Sequence, residues 1–141
     1  MIEALPARAP RPSAAAPPAR ILIVDDSSLV RLYYRDVLEK GGFEVEQALN
    51  GVEAMEKVLT QPFDLVIADV NMPRMDGFSF LRSLRRNASD VATLPVLVIS
   101  TEAETQDRDE ARTAGANFYL VKPVSEVSLL RHALVLTGRR P

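Results

Sequence analysis

Three runs of unbroken apolar residues constrain the fold of this chain more than any other feature: ILIV at 21–24, DLVIAD at 64–69 with its apolar centre, and LPVLVIS at 94–100. A strand that is apolar at every position is one covered on both faces, which is the mark of a parallel sheet. FEVEQA at 43–48 alternates, predicting a more exposed strand, and NFYLV at 117–121 reads as a fifth. Helical spacing fills the gaps. Ser27 or Ser28 can cap a segment where Val30, Tyr33, Tyr34, Val37 and Leu38 recur, ended by Gly41-Gly42. Asn50-Gly51 leads into a helix over about 52–60 with Val52, Met55, Val58 and Leu59 inward, stopped by Pro62. Gly77 precedes a helix carrying Phe78, Phe80, Leu81 and Leu84. Residues 102–114 are helical by composition with only alanines to bury, and Gly115 ends them. A last helix runs from about Ser125 to Thr137. Strands alternating with helices predict an α/β fold, a doubly wound parallel sheet with helices on both faces.

The rest of the chain sets bounds. Residues 1–19 belong to a Pro/Ala-rich stretch that reads as a disordered tail, and residues 20–138 form one folded domain. Residues 1–20 hold Arg8, Arg11 and Arg20 against Glu3, which leaves 14 basic and 18 acidic residues in the remainder. An acidic domain is not expected to bind nucleic acid. There is no cysteine, which excludes disulfides and thiolate metal sites. No apolar run approaches membrane-spanning length and the first residues lack a secretory signal, so a cytoplasmic location is expected.

In an open parallel sheet, ligands sit beyond the carboxyl ends of the strands. The first strand here ends in Asp25-Asp26, the third in Asp69, the fourth in Ser100-Thr101 and the fifth in Lys122-Pro123. Three carboxylates close together repel one another, and a hard divalent cation such as Mg²⁺ resolves the conflict. Lys122 adds a point charge suited to a phosphoryl oxygen. The set suits phosphoryl transfer to a carboxylate nucleophile, forming an acyl phosphate. Asp76 reads as a helix cap rather than a further ligand. His132 lies on a helix away from the strand ends and is not expected to bind metal.

Together VDDS after the first strand, DLVIADVNMPRMDG on and after the third, PVLVIST on the fourth and YLVKP on the fifth resemble a response-regulator receiver domain, over about residues 20–137. The likeness is greatest to single-domain chemotaxis regulators. It implies five parallel strands in the flavodoxin-like order 2-1-3-4-5 with five helices. It makes Asp69 the phosphoacceptor, with Asp25, Asp26 and Asp69 as Mg²⁺ ligands alongside the backbone carbonyl of Asn71. Ser100 is then the hydroxyl that moves towards the phosphoryl group, Lys122 its cationic partner and Tyr119 the aromatic that turns inward on activation. The resemblance also implies a cis peptide bond before Pro123. Asn71 and Glu102 match the chemotaxis pattern around the site, implying a short-lived phosphoryl state. Thr101 departs from the family's smaller residue and narrows access.

The resemblance further implies a signalling module rather than an enzyme, one that accepts a phosphoryl group on itself and then loses it. The donor is a histidine kinase or histidine phosphotransfer protein. The output is a downstream protein or a homodimer, bound through the face of helix four, strand five and helix five. With only a few residues after the last helix, the chain is expected to act through such a partner. In the last helix Leu129, Ala133 and Leu136 are expected to face the sheet, leaving Val127, Leu130 and Leu134 as a partner stripe. A phosphate sink or relay intermediate is the alternative role. A metal-dependent aspartyl phosphohydrolase is the alternative class, weakened because Asn71 stands where such enzymes carry a second Asp.

Overall fold

The computed structural model describes residues 17–70, 76–102 and 104–139. The expected Asn71 ligand and most of the expected tail lie outside the described residues. Elements alternate strictly: β1 (Arg20–Val24), α1 (Ser28–Lys40), β2 (Glu44–Ala48), α2 (Gly51–Thr60), β3 (Leu65–Asp69), α3 (Gly77–Arg85), a 3-10 turn (Asp90–Thr93), β4 (Val96–Ser100), α4 (Thr105–Ala114), β5 (Phe118–Val121) and α5 (Glu126–Leu136). All strands pair parallel, in the order β2-β1-β3-β4-β5. The fold expected from the sequence is the fold observed.

Side chains on a strand alternate between faces, and the two core layers follow that alternation. Leu22, Val24, Val66, Ala68, Val96 and Val98 meet Ala54, Val58, Phe80, Leu81, Leu84 and Ala114 from α2, α3 and α4. Ile21, Ile23, Leu65, Ile67, Leu97 and Ile99 meet Tyr34, Val37, Leu38, Leu129 and Ala133 from α1 and α5. This explains the unbroken apolar runs of β1, β3 and β4. The edge strands β2 and β5 are only part-buried.

Local chemistry sets the helix starts. Ser27 Oγ accepts from Val30 N at 3.3 Å, Asn50 Oδ1 from Glu53 N at 2.9 Å and Asp76 Oδ1 from Ser79 N at 2.8 Å. The Asp76 cap is as expected. Helix α4 begins at Thr105, three residues later than the composition suggested, and no side chain caps it. It buries only Ala111 and Ala114. Its tail is held differently. Arg85, at the end of α3, donates to the carbonyls of Ala92, Leu94 and Gly115 and to Asn117 Oδ1, at 2.6–3.0 Å. Gly115 takes φ 114°, a left-handed helix end open to glycine.

Three expectations need correction. Leu59 is 53% exposed, because the inward line of α2 runs through Gly51, Ala54 and Val58 and Leu59 lies a further ~100° round the helix. Leu130 and Leu134 do not form a free stripe with Val127. Helix α5 lies against α1 as well as the sheet, so both leucines pack on the α1–α5 core layer, and Leu130 occupies the space a side chain at Gly41 would need. Of the three, Val127 alone is openly exposed. Lastly, Ala19 is buried and its carbonyl accepts from Glu44 N at 3.0 Å, so packing begins before residue 20.

These placements predict a sharp contrast within α5. Leu129→Ala should cost about 2–5 kcal/mol in urea denaturation, whereas Val127→Ala should stay within about 0.5 kcal/mol of the parent.

Candidate functional site

Burial of both sheet faces leaves polar chemistry to the strand ends, and that is where it lies. Apart from Tyr34, the buried polar or charged residues among those described are Asp25, Asp69 and Ser100. Each follows or closes a central strand, β1, β3 or β4 respectively. Asp25 stands just past β1, its backbone N bonded to the Ala48 carbonyl at 3.2 Å. One carboxylate oxygen accepts from Ser27 N at 2.8 Å, and Arg31 donates to the Asp25 carbonyl at 2.7 Å. Asp69 is the last residue of β3, 8% exposed. Behind it Gly77 N donates to the Val70 carbonyl at 3.1 Å. A Cβ at Gly77 would fall 2.7 Å from Val70 Cα and against the Asp69 carbonyl, so only glycine fits at this position.

Asp25, Asp26 and Asp69 each present a carboxylate oxygen, and these lie within 4.8 Å of one another. Asp26 is exposed whereas the other two are buried. Lys122 answers them from the end of β5: Nζ stands 3.3 Å from Asp25 Oδ2 and 3.8 Å from Asp69 Oδ2. The Lys122–Pro123 peptide bond is cis, as expected. Three carboxylates so close call for positive charge, of which Lys122 supplies part. All-oxygen donors at this spacing fit a hard divalent cation, which keeps part of its shell for water or phosphate oxygen.

Ser100, fully buried, accepts from Glu102 N through Oγ at 3.1 Å, and its carbonyl receives Lys122 N at 2.8 Å. Tyr119 lies one strand away and does not touch the carboxylates. Its hydroxyl donates to the Glu102 carbonyl at 2.7 Å, and the Arg108 guanidinium stands 5.2 Å from its ring centroid. Thr101 is exposed beside Glu102, with Oγ1 3.4 Å from Glu102 Oε2. His132 packs edge-on to Phe118 at 5.3 Å, away from the site.

Sequence reasoning missed two tyrosines of α1. Tyr33 donates to the Val124 carbonyl at 2.9 Å, tying α1 to the segment after β5. Tyr34 is buried, and burial first, then the negative fields of Asp25 and Asp69, push its phenol well above the ordinary tyrosine value. Both had read simply as apolar helix positions; their polar tips were the available signal.

Five parallel strands in this order, with an acidic cluster and a lysine at the carboxyl edge, define a flavodoxin-like module built around a phosphate- or cation-binding edge. The family model for the response regulator receiver domain matches residues 21–134, and the chain belongs to that family. It is therefore a receiver domain of two-component signalling, and the phosphohydrolase alternative is set aside. The gliding motility regulatory protein of Myxococcus xanthus is 39% identical over 130 residues, covering 90% of this chain and 17% of that protein. Sensor protein EvgS of Escherichia coli strain K12 is 37% identical over 126 residues, covering 89% of this chain and 10% of that protein. The chain thus spans under a fifth of either relative. The structure of chemotaxis response regulator CheY4 of Vibrio cholerae is similar at a TM-score of 0.79 and 37% identity, covering 84% of this chain and 98% of that one. No described helix is long and apolar enough to cross a membrane.

The crowding of carboxylates should be measurable in the metal-free protein. Asp69→Asn removes one of three like charges while forfeiting one contact with Lys122, and is expected to raise stability to urea by on the order of 1 kcal/mol. Millimolar Mg²⁺ should stabilise the parent by up to about 3 kcal/mol and shrink that gap.

Proposed function

We propose that Asp69 is the phosphoacceptor of a phosphorelay, charged from a phosphohistidine on a histidine kinase or phosphotransfer protein. The observation that carries this reading is the burial of Asp69 beside Lys122, 3.8 Å away, within the acidic cluster at the carboxyl edge of the sheet. Asp25, Asp26 and Asp69 would hold Mg²⁺, with the Asn71 carbonyl as the further ligand implied by the family pattern. Bound there, Mg²⁺ would offset charge on the phosphoryl oxygens. A carboxylate oxygen of Asp69 attacks phosphorus in line, the phosphorus–nitrogen bond breaks, and its electron pair stays on the donor ring. Lys122 supplies positive charge that the phosphoryl oxygens share with Asp25.

The phosphoryl group then offers Ser100 a stronger acceptor than any it has now. Drawing Ser100 Oγ towards it breaks the bond from Glu102 N, and the Glu102 carbonyl carries the Tyr119 hydroxyl. One displacement thus reaches α4 and β5. The change is a population shift between two arrangements, biased by the phosphoryl group. The face of α4, β5 and α5 is read as the output surface, where Phe118, Val127 and Val135 are exposed. Its partner is a downstream protein or a second copy. A chemotaxis role draws support from the likeness to the Vibrio regulator; a sink or relay role is the alternative. The cytoplasm is the proposed location, and loss of the phosphoryl group by self-hydrolysis the proposed reset.

Incubation with acetyl phosphate and Mg²⁺, scored by intact mass, tests the acceptor. The parent should gain one phosphoryl group and Asp69→Asn none. If the parent gains nothing, and beryllofluoride with Mg²⁺ also fails to bind it, Asp69 is not an acceptor. A target bound only by the beryllofluoride form would favour direct output over a sink.

A further inference from the structure

Beside the acidic cluster, on the α1 side, lies a cavity of about 560 Å³ bounded by Leu29, Val30, Tyr33, Tyr34, Thr101 and Lys122. That volume is ample for a small ring. The bond from Tyr33 to the Val124 carbonyl, at 2.9 Å, fixes α1 and the segment after β5 around it. Polar groups interrupt the apolar and aromatic wall, Thr101, Lys122 and Tyr34 among them. Lys122 borders both the cavity and the carboxylates. Tyr34 is only 4% exposed, and its hydroxyl makes no hydrogen bond among the described residues. A hydroxyl on the wall of such a cavity is open to a ligand that offers it a hydrogen bond.

We propose that this cavity seats the leaving group of the phosphoryl donor, and that Tyr34 selects donors whose leaving group is a flat nitrogen heterocycle. The inference rests on the reading of Asp69 as phosphoacceptor. In-line transfer puts the leaving group on the far side of phosphorus from Asp69, and the cavity adjoins the carboxylates through Lys122. Lys122 is already committed to Asp25 and Asp69, so the cavity has no spare cation for a carboxylate leaving group. A ring suits its apolar walls. As the bond from Asp69 oxygen to phosphorus forms, the phosphorus–nitrogen bond breaks and its electrons remain on that nitrogen. A ring protonated on its other nitrogen leaves as the neutral heterocycle, keeping that proton, and the Tyr34 oxygen accepts its N–H. Acetate, the leaving group of acetyl phosphate, has neither ring nor N–H donor.

The test compares phosphoimidazole with acetyl phosphate as donors to the full chain in Mg²⁺, taking the ratio of the two phosphorylation rates by intact mass. A ratio on one sample is unaffected by any unfolded fraction. Tyr34→Phe removes only the hydroxyl, and the ratio should fall about two- to tenfold, the worth of one neutral hydrogen bond. Leu29 is 77% exposed, so Leu29→Trp should fold, fill the cavity mouth and lower the ratio as well. An unchanged ratio in Tyr34→Phe overturns the proposal. No phosphoryl gain by the parent from either donor, together with failure to bind beryllofluoride, overturns the reading of Asp69 instead.

Discussion

The structure turns on a conflict of charge. Asp25, Asp26 and Asp69 bring three carboxylate oxygens within 4.8 Å, and Lys122 stands against two of the three residues. Two of the three are buried, where screening by water is weakest. The fold tolerates this because the sheet determines where the charges stand: each central strand is apolar to its last turn and turns polar only at its end. The site is thus a consequence of covering both faces of a parallel sheet. It is poised to gain from a ligand that brings positive charge.

That arrangement is also why so much was legible in the sequence. Strand identity, order of elements and the cluster Asp25, Asp26, Asp69, Ser100 and Lys122 follow from where apolar runs stop, which needs no knowledge of neighbours. What escaped depended on neighbours. Leu59 sits at the margin of a helical stripe, where a rotation of one position decides burial. Leu130 and Leu134 read as a free surface until α1 is placed beside α5. Arg85 drew no reading from the sequence; its role appears only once Gly115 and Asn117 come back past it. Tyr34 filled an apolar position in the pattern, and its hydroxyl gained meaning from a cavity that local sequence does not reveal.

The Ser100–Glu102–Tyr119 chain has a similar economy. Ser100 Oγ takes the Glu102 N–H and Tyr119 grips the Glu102 carbonyl, so a single peptide segment stands between the buried hydroxyl and β5. Coupling over that distance requires no extended network, only a segment with two discrete arrangements.

The unequal anchoring of α4 gives that coupling a direction. Its tail is riveted: the Arg85 fork meets the Gly115 carbonyl and three further acceptors, and Ala111 and Ala114 are buried. Because those acceptors are carbonyl oxygens, the rivet does not depend on a partner carboxylate staying ionised. The head lacks a side-chain cap and leans on Tyr119, through the Glu102 carbonyl and the ring under Arg108. A helix so held is fixed at Gly115 and depends on one side chain at its other end. If Tyr119 turns as proposed, both contacts at the head are lost while the tail stays held.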